Sequence, residues 1–386
     1  MKNILLSLFV CLLLPVTAFA LDMQLPETEA KQAIIVDYET GTILFEKNAD
    51  ERMPTSSMSK VLTSIVAYDA LREGKIKPDD ELPVSKRAWE EGGSASGGST
   101  MFLDLDSKVK VSDLIKGIVI QSGNDACIVI AEGIAGSEEN FASLLNDKAV
   151  EIGMKNSYFM NSSGLPDPNH YSTARDLSMM AVYLIKNYPD HYALHSEKEF
   201  VFNNIKQGNR NPLLYLNIGA DGIKTGHTKD AGYGLIGSAV VAGRRVVMVI
   251  NGTSSMQSRA DESEKLIKWA MTSFKNVDLV KKGTIVGQAP VVLGAVREVS
   301  FAPTEDLRLT VSAFNKNPAQ ISAVYKVPLI APIKAGDTVG SLIVTLSNGS
   351  TKEIPLAATE DIAEAPFFSR VAEKFMLMIV GVPKYQ

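Results

Sequence analysis

Cysteine and histidine are scarce in this sequence, which contains two cysteines and four histidines among 386 residues. The histidines lack the H-E-x-x-H spacing of a zinc hydrolase, so we predict neither a metal mechanism nor another cofactor. Cys11 lies in a segment that we expect to be removed, which leaves Cys127 alone and excludes an internal disulfide. Cys127 lies within an apolar run that predicts a helix, and we expect it to be a buried structural thiol. His191 and His195 have helical spacing without an acidic partner, which predicts a surface pair.

Basic tracts are also absent. The chain has 39 Lys and Arg residues against 44 Asp and Glu residues, a formal net charge of −5. Mild acidity without a basic stretch argues against nucleic acid as a partner. The length predicts two domains rather than one.

The amino terminus has the features of a secretory signal peptide. Lys2 is followed by an apolar run at residues 4–14 and by the small-x-small sequence Ala18-Phe19-Ala20. The apolar run is too short for a transmembrane anchor. We therefore predict export, with a signal peptide at residues 1–20 and a mature chain that begins near Leu21.

The apolar periodicity predicts an α/β layer domain over residues 21–277. Strand patterns lie near both ends of this region, and helical patterns lie between them and at its close. The predicted strands are a hairpin at 32–45 and runs at 232–241 and 245–251, and the predicted helices are 57–73, 112–120, 124–135, 138–152, 174–187 and 258–273.

Residues 278–363 predict a small all-β domain, a sandwich or a barrel. Short apolar runs, including 284–286, 291–293 and 307–314, are separated by turns such as Ser347-Asn348-Gly349. We find no catalytic cluster in this region and expect a spacer or docking domain.

The last segment, residues 364–386, predicts an amphipathic helix. Its apolar face would contain Phe367, Phe368, Val371, Phe375, Met378 and Ile379, opposite a polar face with two cations. This pattern is typical of a helix that lies in a membrane interface, and its apolar stretch is too short to span a bilayer. The alternative is a terminal helix packed on the β domain.

Three motifs indicate acyl transfer by an active serine with a lysine base. Each is weak alone, but the three together in this order, after a secretory start, are rare by chance. They are Ser57-Met58-Ser59-Lys60, Ser122-Gly123-Asn124 and Lys224-Thr225-Gly226.

Ser57 and Lys60 are three residues apart at a predicted helix start, so they share one face and can meet. Thr55 or Ser56 is the predicted N-cap. A serine hydroxyl needs a base to become a good nucleophile, and a lysine serves only if its pKa is lowered by burial and a second cation. Lys224 is the expected second cation.

The other two motifs supply a proton relay and a substrate edge. Ser122 lies in a predicted break between helices, where its hydroxyl can relay a proton to the leaving amine. Asn124 can orient Lys60 and hold substrate backbone, or it can be a plain helix cap. Ile223 stands where a P-loop needs glycine, which excludes nucleotide binding. On a strand edge, the Lys224 motif can hold a peptide by β-augmentation.

The chain resembles the low-molecular-mass penicillin-binding proteins, specifically the type-5 D-alanyl-D-alanine carboxypeptidases. S-x-x-K and K-T-G motifs are characteristic of penicillin-binding proteins and class A β-lactamases. The similarity extends over essentially the whole mature chain, including residues 101–103, 121–127, 171–176 and 221–228. It implies a β-lactamase/transpeptidase-like α/β domain, an antiparallel sheet covered by helices, followed by the β domain and the terminal helix.

The resemblance also implies roles for individual residues. It assigns Ser57 as nucleophile, Lys60 as its base, and Ser122 and Asn124 as proton relay and orienting amide. Lys224 and Thr225 become the electrostatic and carboxylate-binding pair, beside Gly226, which on a strand edge lets substrate backbone approach. The backbone N–H groups of Ser57 and His227 would form the oxyanion hole, and Arg259 matches a family arginine near the substrate carboxylate. The alternative for Arg259 is a surface ion pair with Asp261 or Glu262. The glycine-rich stretch at 92–99 is either a flap or a slack loop, and we favour the loop.

The expected function is removal of the terminal D-alanine from peptidoglycan pentapeptide stems through an acyl-enzyme on Ser57, with β-lactams as acylating inhibitors. The protein would be periplasmic and peripherally attached to the outer face of the inner membrane. The alternatives are a D,D-endopeptidase or a β-lactamase on the same fold, or a penicillin-binding sensor without turnover.

Overall fold

The computed structural model describes residues 25–315, 319–325, 328–346, 349 and 351–380. The predicted signal peptide at residues 1–20 lies outside this range, as do the last residues of the predicted terminal segment.

The first part of the chain alternates strands and helices. Its strands are β1 (Gln32–Asp37), β2 (Ile43–Lys47), β3 (Glu81–Pro83), β4 (Lys108–Lys110), β5 (Glu199–Phe202), β6 (Ile205–Gly208), β7 (Ala220–Thr228), β8 (Gly232–Val241) and β9 (Arg244–Thr253). Its helices are α1 (Lys60–Arg72), α2 (Lys86–Glu91), α3 (Val111–Lys116), α4 (Asn124–Ala135), α5 (Glu138–Ile152), α6 (Ala174–Asn187), α7 (Pro189–Tyr192) and α8 (Met256–Ser273).

A five-stranded antiparallel sheet in the order β2-β1-β9-β8-β7 forms the centre of this part. Consecutive residues of its strands face opposite sides. Ile34 and Val249 pack with α1 and α6 on one side, whereas Ile35 and Met248 pack with α8 on the other. Burial on both sides explains why the central strands are continuously apolar and confirms the predicted sheet covered by helices.

Four of the six predicted helices agree closely with the apolar periodicity. Helices α4, α5 and α6 have the predicted limits. Helix α8 begins two residues earlier than predicted, because the Ser255 side chain caps it by accepting a hydrogen bond of 3.0 Å from the Ser258 amide.

The second part of the chain is all-β, as predicted. Its strands are β10 (Phe274–Val280), β11 (Gly287–Val292), β12 (Glu298–Pro303), β13 (Leu307–Ser312), β14 (Ala319–Tyr325), β15 (Leu329–Ile330), β16 (Thr338–Leu346) and β17 (Thr351–Ala358). A six-stranded sheet in the order β14-β16-β17-β12-β11-β15 and the β10-β13 pair share one apolar core. Leu307 and Leu309 contribute to this core from β13, and Val299 and Leu342 from the larger sheet.

One predicted strand in this part is wrong. Residues 284–286 precede β11, because the Thr284 amide closes a turn to the Lys281 carbonyl at 3.1 Å. Only the Val286 amide reaches the neighbouring strand, with a bond of 3.1 Å to the Phe301 carbonyl.

Polar contacts join the two parts beside β1. Asp37 is fully buried and pairs with Arg244 at 2.8 Å. Asn276 of β10 donates to the other Asp37 oxygen at 3.1 Å, and the hydroxyls of Thr40 and Thr310 lie 2.5 Å apart. These bonds hold the β part against the hairpin of the central sheet.

Helix α9 (Phe367–Val380) follows the β part. Glu373 faces the β part, where it accepts a bond of 3.1 Å from the Leu293 amide and pairs with Arg297. The apolar side chains Phe368, Phe375 and Met378 remain 84, 65 and 86% exposed. Within the described ranges, no helix combines the length and apolarity needed to cross a bilayer.

Candidate active site

Ser57 lies in a single 3₁₀ turn, Ser56–Ser59, that leads directly into α1. The helix proper begins at Lys60, later than predicted, but the turn keeps Ser57 Oγ 2.8 Å from Lys60 Nζ. The predicted side-chain cap is wrong. Thr55 has a helical backbone conformation, and its hydroxyl bonds to Ser59 Oγ at 2.5 Å instead of to a backbone amide.

Lys60 is 1% exposed and faces neutral oxygens. Besides Ser57, its Nζ donates to Asn124 Oδ1 at 2.7 Å and to the Ser163 carbonyl at 2.7 Å. Burial lowers the pKa of Lys60 to about 8, and the nearby Arg210 cation contributes in the same direction. A neutral amine beside the Ser57 hydroxyl can therefore accept its proton.

Ser122 and Asn124 lie where α3 gives way to α4. The predicted helix at 112–120 is interrupted, because Gly117–Gln121 form a wider π-type turn and Ser122 adopts a left-handed conformation with φ of 69°. Asn124 is the first residue of α4, and its side chain holds Lys60 rather than capping the helix, so the capping alternative is wrong. Ser122 Oγ is buried without a hydrogen-bond partner in the described chain, which leaves it free for a substrate group.

Lys224, Thr225 and Gly226 lie on β7, an edge strand of the central sheet. Lys224 is 4% exposed and donates to the Thr225 carbonyl at 3.1 Å. Burial holds the pKa of Lys224 well below its usual range, and the cations of Lys60, Arg210 and Arg259 lower it further. Three further positive side chains thus lie near the Lys224 amine.

Arg210 is the functional candidate that the sequence did not reveal. It precedes the 3₁₀ turn Pro212–Tyr215, and its guanidinium donates to Ser99 Oγ at 2.5 Å across the cleft. Arg210 belongs to no motif. In the sequence, Arg210 is marked only by its position between two asparagines, Asn209 and Asn211. In the structure, both asparagine side chains are buried and bond to local backbone groups.

Arg259 is buried on α8, 5% exposed, and its guanidinium lies 5.7 Å from the centre of the Tyr233 ring. The Tyr233 ring in turn stacks on His227 at 3.9 Å. Burial lowers the pKa of Arg259 to about 10, so it stays cationic at neutral pH, and its Nε has no hydrogen-bond partner in the described chain.

The surface ion pair proposed as an alternative for Arg259 is wrong. Asp261 accepts from Gln257 at 2.8 Å, and Glu262 pairs with Lys265 at 2.6 Å.

The stretch at 92–99 borders the site, with Gly92 and Gly93 buried and residues 94–98 exposed. A Cβ on Gly92 would lie 2.3 Å from the Asp125 backbone nitrogen, and one on Gly98 would lie 2.7 Å from the Asn124 side-chain nitrogen. These two glycines therefore allow close contact with the segment that holds Asn124, and the choice between a flap and a slack loop for the exposed part stays a prediction.

Together these elements enclose a cleft of about 420 Å³ beside Ser57. Ser122, Lys60, Lys224 and Thr225 are buried and do not line it. The lining residues are Ser57, Gly97, Gly98, Ser99, Asn124, Ser163, Gly164, Leu165, Arg210, His227 and Thr228.

The remaining histidine and cysteine predictions have different outcomes. Cys127 is fully buried, as predicted, and burial raises its pKa to about 12. The predicted surface histidine pair is wrong, because only His191 is exposed. His195 is fully buried beneath β7, with Nδ1 3.2 Å from the Ile223 carbonyl, and His191 stacks on Tyr68 at 4.4 Å.

Comparison with known proteins identifies the family. Residues 20–255 match the D-alanyl-D-alanine carboxypeptidase family, and residues 274–364 match the penicillin-binding protein 5 C-terminal domain. The D-alanyl-D-alanine carboxypeptidase DacC of Escherichia coli (strain K12) is 39% identical over 376 residues, 96% of this chain and 94% of that protein.

Solved structures agree with this result. Penicillin-binding protein 5 from Haemophilus influenzae is 34% identical, with a TM-score of 0.78 over 88% of this chain and 99% of that chain. The D-alanyl-D-alanine carboxypeptidase DacD from Francisella tularensis is 31% identical, with a TM-score of 0.76 over 88% of this chain and 95% of that one. With a family match over more than half its length and relatives that align from end to end, the chain belongs to the D-alanyl-D-alanine carboxypeptidases, in the type-5 group of low-molecular-mass penicillin-binding proteins.

Proposed function

We propose that this protein is a serine D,D-carboxypeptidase that removes the terminal D-alanine from peptidoglycan pentapeptide stems through an acyl-enzyme on Ser57. The observation that supports it most is the buried Lys60 amine, 2.8 Å from Ser57 Oγ and surrounded by neutral oxygens. A lysine in this setting can act as a general base at neutral pH.

In the acylation step, neutral Lys60 accepts the Ser57 proton as Oγ bonds to the carbonyl carbon of the penultimate D-alanine. The carbonyl oxygen becomes an oxyanion, which the backbone N–H groups of Ser57 and His227 stabilise. As the C–N bond breaks, the unpartnered Ser122 hydroxyl passes a proton from a lysine to the leaving amine.

The substrate's free carboxylate is recognised by a positively charged end of the cleft. Besides burial, the charges of Arg210 and Arg259 lower the pKa of Lys224, and the charge of Arg210 lowers that of Arg259. The three side chains therefore lie close together, and Thr225 adds a hydroxyl beside them. A carboxylate among these cations removes their mutual repulsion, so a free chain end is preferred over a mid-chain amide. The substrate backbone pairs with the edge of β7.

In deacylation, water replaces the released D-alanine and Lys60 accepts its proton. The ester carbon of the acyl-enzyme gains the hydroxyl, and Ser57 Oγ leaves and recovers a proton from Lys60. A β-lactam enters the same acylation step and stays bound to Ser57 when water attacks slowly.

The direct test is to incubate the purified mature protein with a pentapeptide ending in D-Ala-D-Ala and to measure free D-alanine. Sustained release supports the proposal. Cleavage of cross-linked stems into separate stems, without release of D-alanine from the pentapeptide, would favour the endopeptidase. Fast hydrolysis of penicillin would favour the β-lactamase, and stoichiometric labelling without turnover would favour the sensor.

We further propose export through a cleaved signal peptide at residues 1–20 and a division of the mature chain into a catalytic domain (21–277), a β domain (278–363) and an anchor (364–386). The protein would lie in the periplasm, with α9 in the outer face of the inner membrane. The exposed side chains of Phe367, Phe368 and Phe375 support this placement, and the Glu373 contacts hold the opposite side of the helix on the β part.

A further inference from the structure

His170 is a buried histidine that takes no part in the chemistry described above. It is 4% exposed and lies in the loop before α6. The backbone of this loop is tied to the rest of the domain on both sides, because Tyr171 pairs with Tyr158 and Ser172 pairs with Met53. The imidazole is therefore presented from a fixed backbone.

The hydrogen bonds of His170 determine its tautomer. The Met160 amide donates to Nδ1 at 3.2 Å, so Nδ1 has the lone pair and Nε2 has the proton. Nε2 then donates to Ser59 Oγ at 2.8 Å. Burial lowers the pKa of His170 to about 4, which keeps this neutral form at physiological pH.

Ser59 connects the imidazole to the nucleophile turn. Its Oγ lies 2.5 Å from Thr55 Oγ1, and both residues are buried, at 0 and 1% exposure. Thr55 and Ser59 stand two residues before and two residues after Ser57, so their bond closes the turn around the nucleophile. The His170 bond fixes this closure to the loop before α6.

Further contacts pack closely around the turn and leave it little room. Ser56 has a positive φ of 49°, which is unfavourable for a residue with a side chain, and its hydroxyl bonds to Thr228 at 3.1 Å. The Gly164 backbone packs so closely that a Cβ there would lie 1.9 Å from the Ser56 carbonyl oxygen. A small movement of the turn would therefore change the distance between Ser57 and Lys60.

We propose that His170 is a positioning residue for the nucleophile, which acts through Ser59 and Thr55 to hold Ser57 Oγ against Lys60. The inference rests on the proposed role of Ser57. His170 itself lies behind the turn, outside the lining of the catalytic cleft, in the wall of a neighbouring groove of about 660 Å³. It therefore affects the reaction through geometry alone.

The test compares His170→Leu, which removes the donor, with His170→Gln, whose amide can still donate to Ser59. The measurement is the acylation of Ser57 by a fluorescent penicillin, resolved into the limiting rate constant and the dissociation constant of the first complex. We expect His170→Leu to lower the limiting rate constant about 10- to 100-fold, with little change in that dissociation constant. His170→Gln should recover most of the rate.

A double-mutant cycle tests the route through Ser59. Ser59→Ala should slow acylation in the same way, and His170→Leu with Ser59→Ala should be no slower than the worse single variant. His191→Leu is the matched control, since His191 stacks on Tyr68. A wild-type rate of acylation in folded His170→Leu or in Ser59→Ala would overturn the proposal. So would a double variant in which the two losses of acylation rate add in free energy.

Two further comparisons separate an effect on folding or on the proposed function from the effect on positioning. If His170→Leu does not fold, the proposal is tested with His170→Gln and Ser59→Ala. Ser59→Ala removes only one small hydroxyl, so we expect it to fold, and the proposal requires it to slow acylation. If the wild-type protein releases no D-alanine, the proposed function is wrong, whereas unchanged acylation in the variants of an active enzyme refutes the role of His170 alone.

Discussion

Asn124 Oδ1 accepts a hydrogen bond of 2.7 Å from Lys60 Nζ, which joins the first residue of α4 to the first residue of α1. The amide is a neutral acceptor, so it orients the lysine without stabilising its charged form as a carboxylate would. Burial lowers the pKa of Lys60, and a neutral partner leaves this effect in place.

The first prediction is therefore a pH dependence. Since the pKa of Lys60 is lowered to about 8 and the base must be neutral, the acylation rate should rise with pH and level off above about 8. Asn124→Asp should raise the pKa of Lys60 and move the rise to higher pH. Stopped-flow acylation by penicillin between pH 5.5 and 10 measures both profiles, and a rate independent of pH in the wild-type protein would contradict the role of Lys60.

Arg259 should matter for recognition of the free chain end. Its guanidinium is buried near Tyr233 with an unpartnered Nε, so it can bind a carboxylate that enters the site. Arg259→Ala should cost about 1.5–3 kcal/mol in kcat/KM, the scale of a hydrogen bond to a charged group.

The control for Arg259 is a substrate whose terminal carboxylate is amidated, for which the loss should shrink. Equal losses on the two substrates would show that Arg259 is structural. Arg210→Ala should show the same dependence on the carboxylate, since Arg210 lines the cleft and lies near Lys224.

Penicillin should be a slowly released inhibitor. Class A β-lactamases use a glutamate-held water for deacylation. Between residues 161 and 175 the chain contains no glutamate, and Asp167, the only acid there, bonds to the Asn169 amide at 2.7 Å and lines the neighbouring groove instead of the cleft. Recovery of activity after removal of free benzylpenicillin measures the release, and fast sustained hydrolysis would refute this prediction.

Truncation before Pro366 should move the protein from the membrane to the soluble fraction. Helix α9 exposes Phe368 and Met378 at 84 and 86%, and its removal deletes this apolar surface without touching the catalytic cleft. Sedimentation with anionic phospholipid vesicles measures binding, and D-alanine release serves as the control for an intact active site. Vesicle binding by the truncated protein would place the anchor elsewhere.

The sequence predicted those features that are set by local pattern. The apolar periodicity placed α4, α5 and α6 at their observed limits, and motif spacing brought Ser57 and Lys60 together. An S-x-x-K spacing brings the serine and the lysine together on either a 3₁₀ turn or an α-helix. The error in the predicted start of α1 therefore did not affect the predicted contact between Ser57 and Lys60.

The features that the sequence did not predict depend on contacts distant in the chain. Arg210 reaches the cleft through a loop with no motif, and His195 is buried because β7 covers it, 28 residues later. Strands β12 and β17 contain Pro303 and Pro355, which weaken the strand pattern. Both strands lie inside the six-stranded sheet, where β12 pairs with β11 and β17, and β17 pairs with β16 and β12.

The central claim, that Ser57 is the acylated nucleophile, is tested most directly by mass spectrometry of the protein after reaction with benzylpenicillin. We predict one penicilloyl adduct on the peptide that contains Ser57, and neither adduct nor D-alanine release in Ser57→Ala, while Ser143→Ala on α5 reacts normally. An adduct on another serine, or continued D-alanine release by folded Ser57→Ala, would contradict the account.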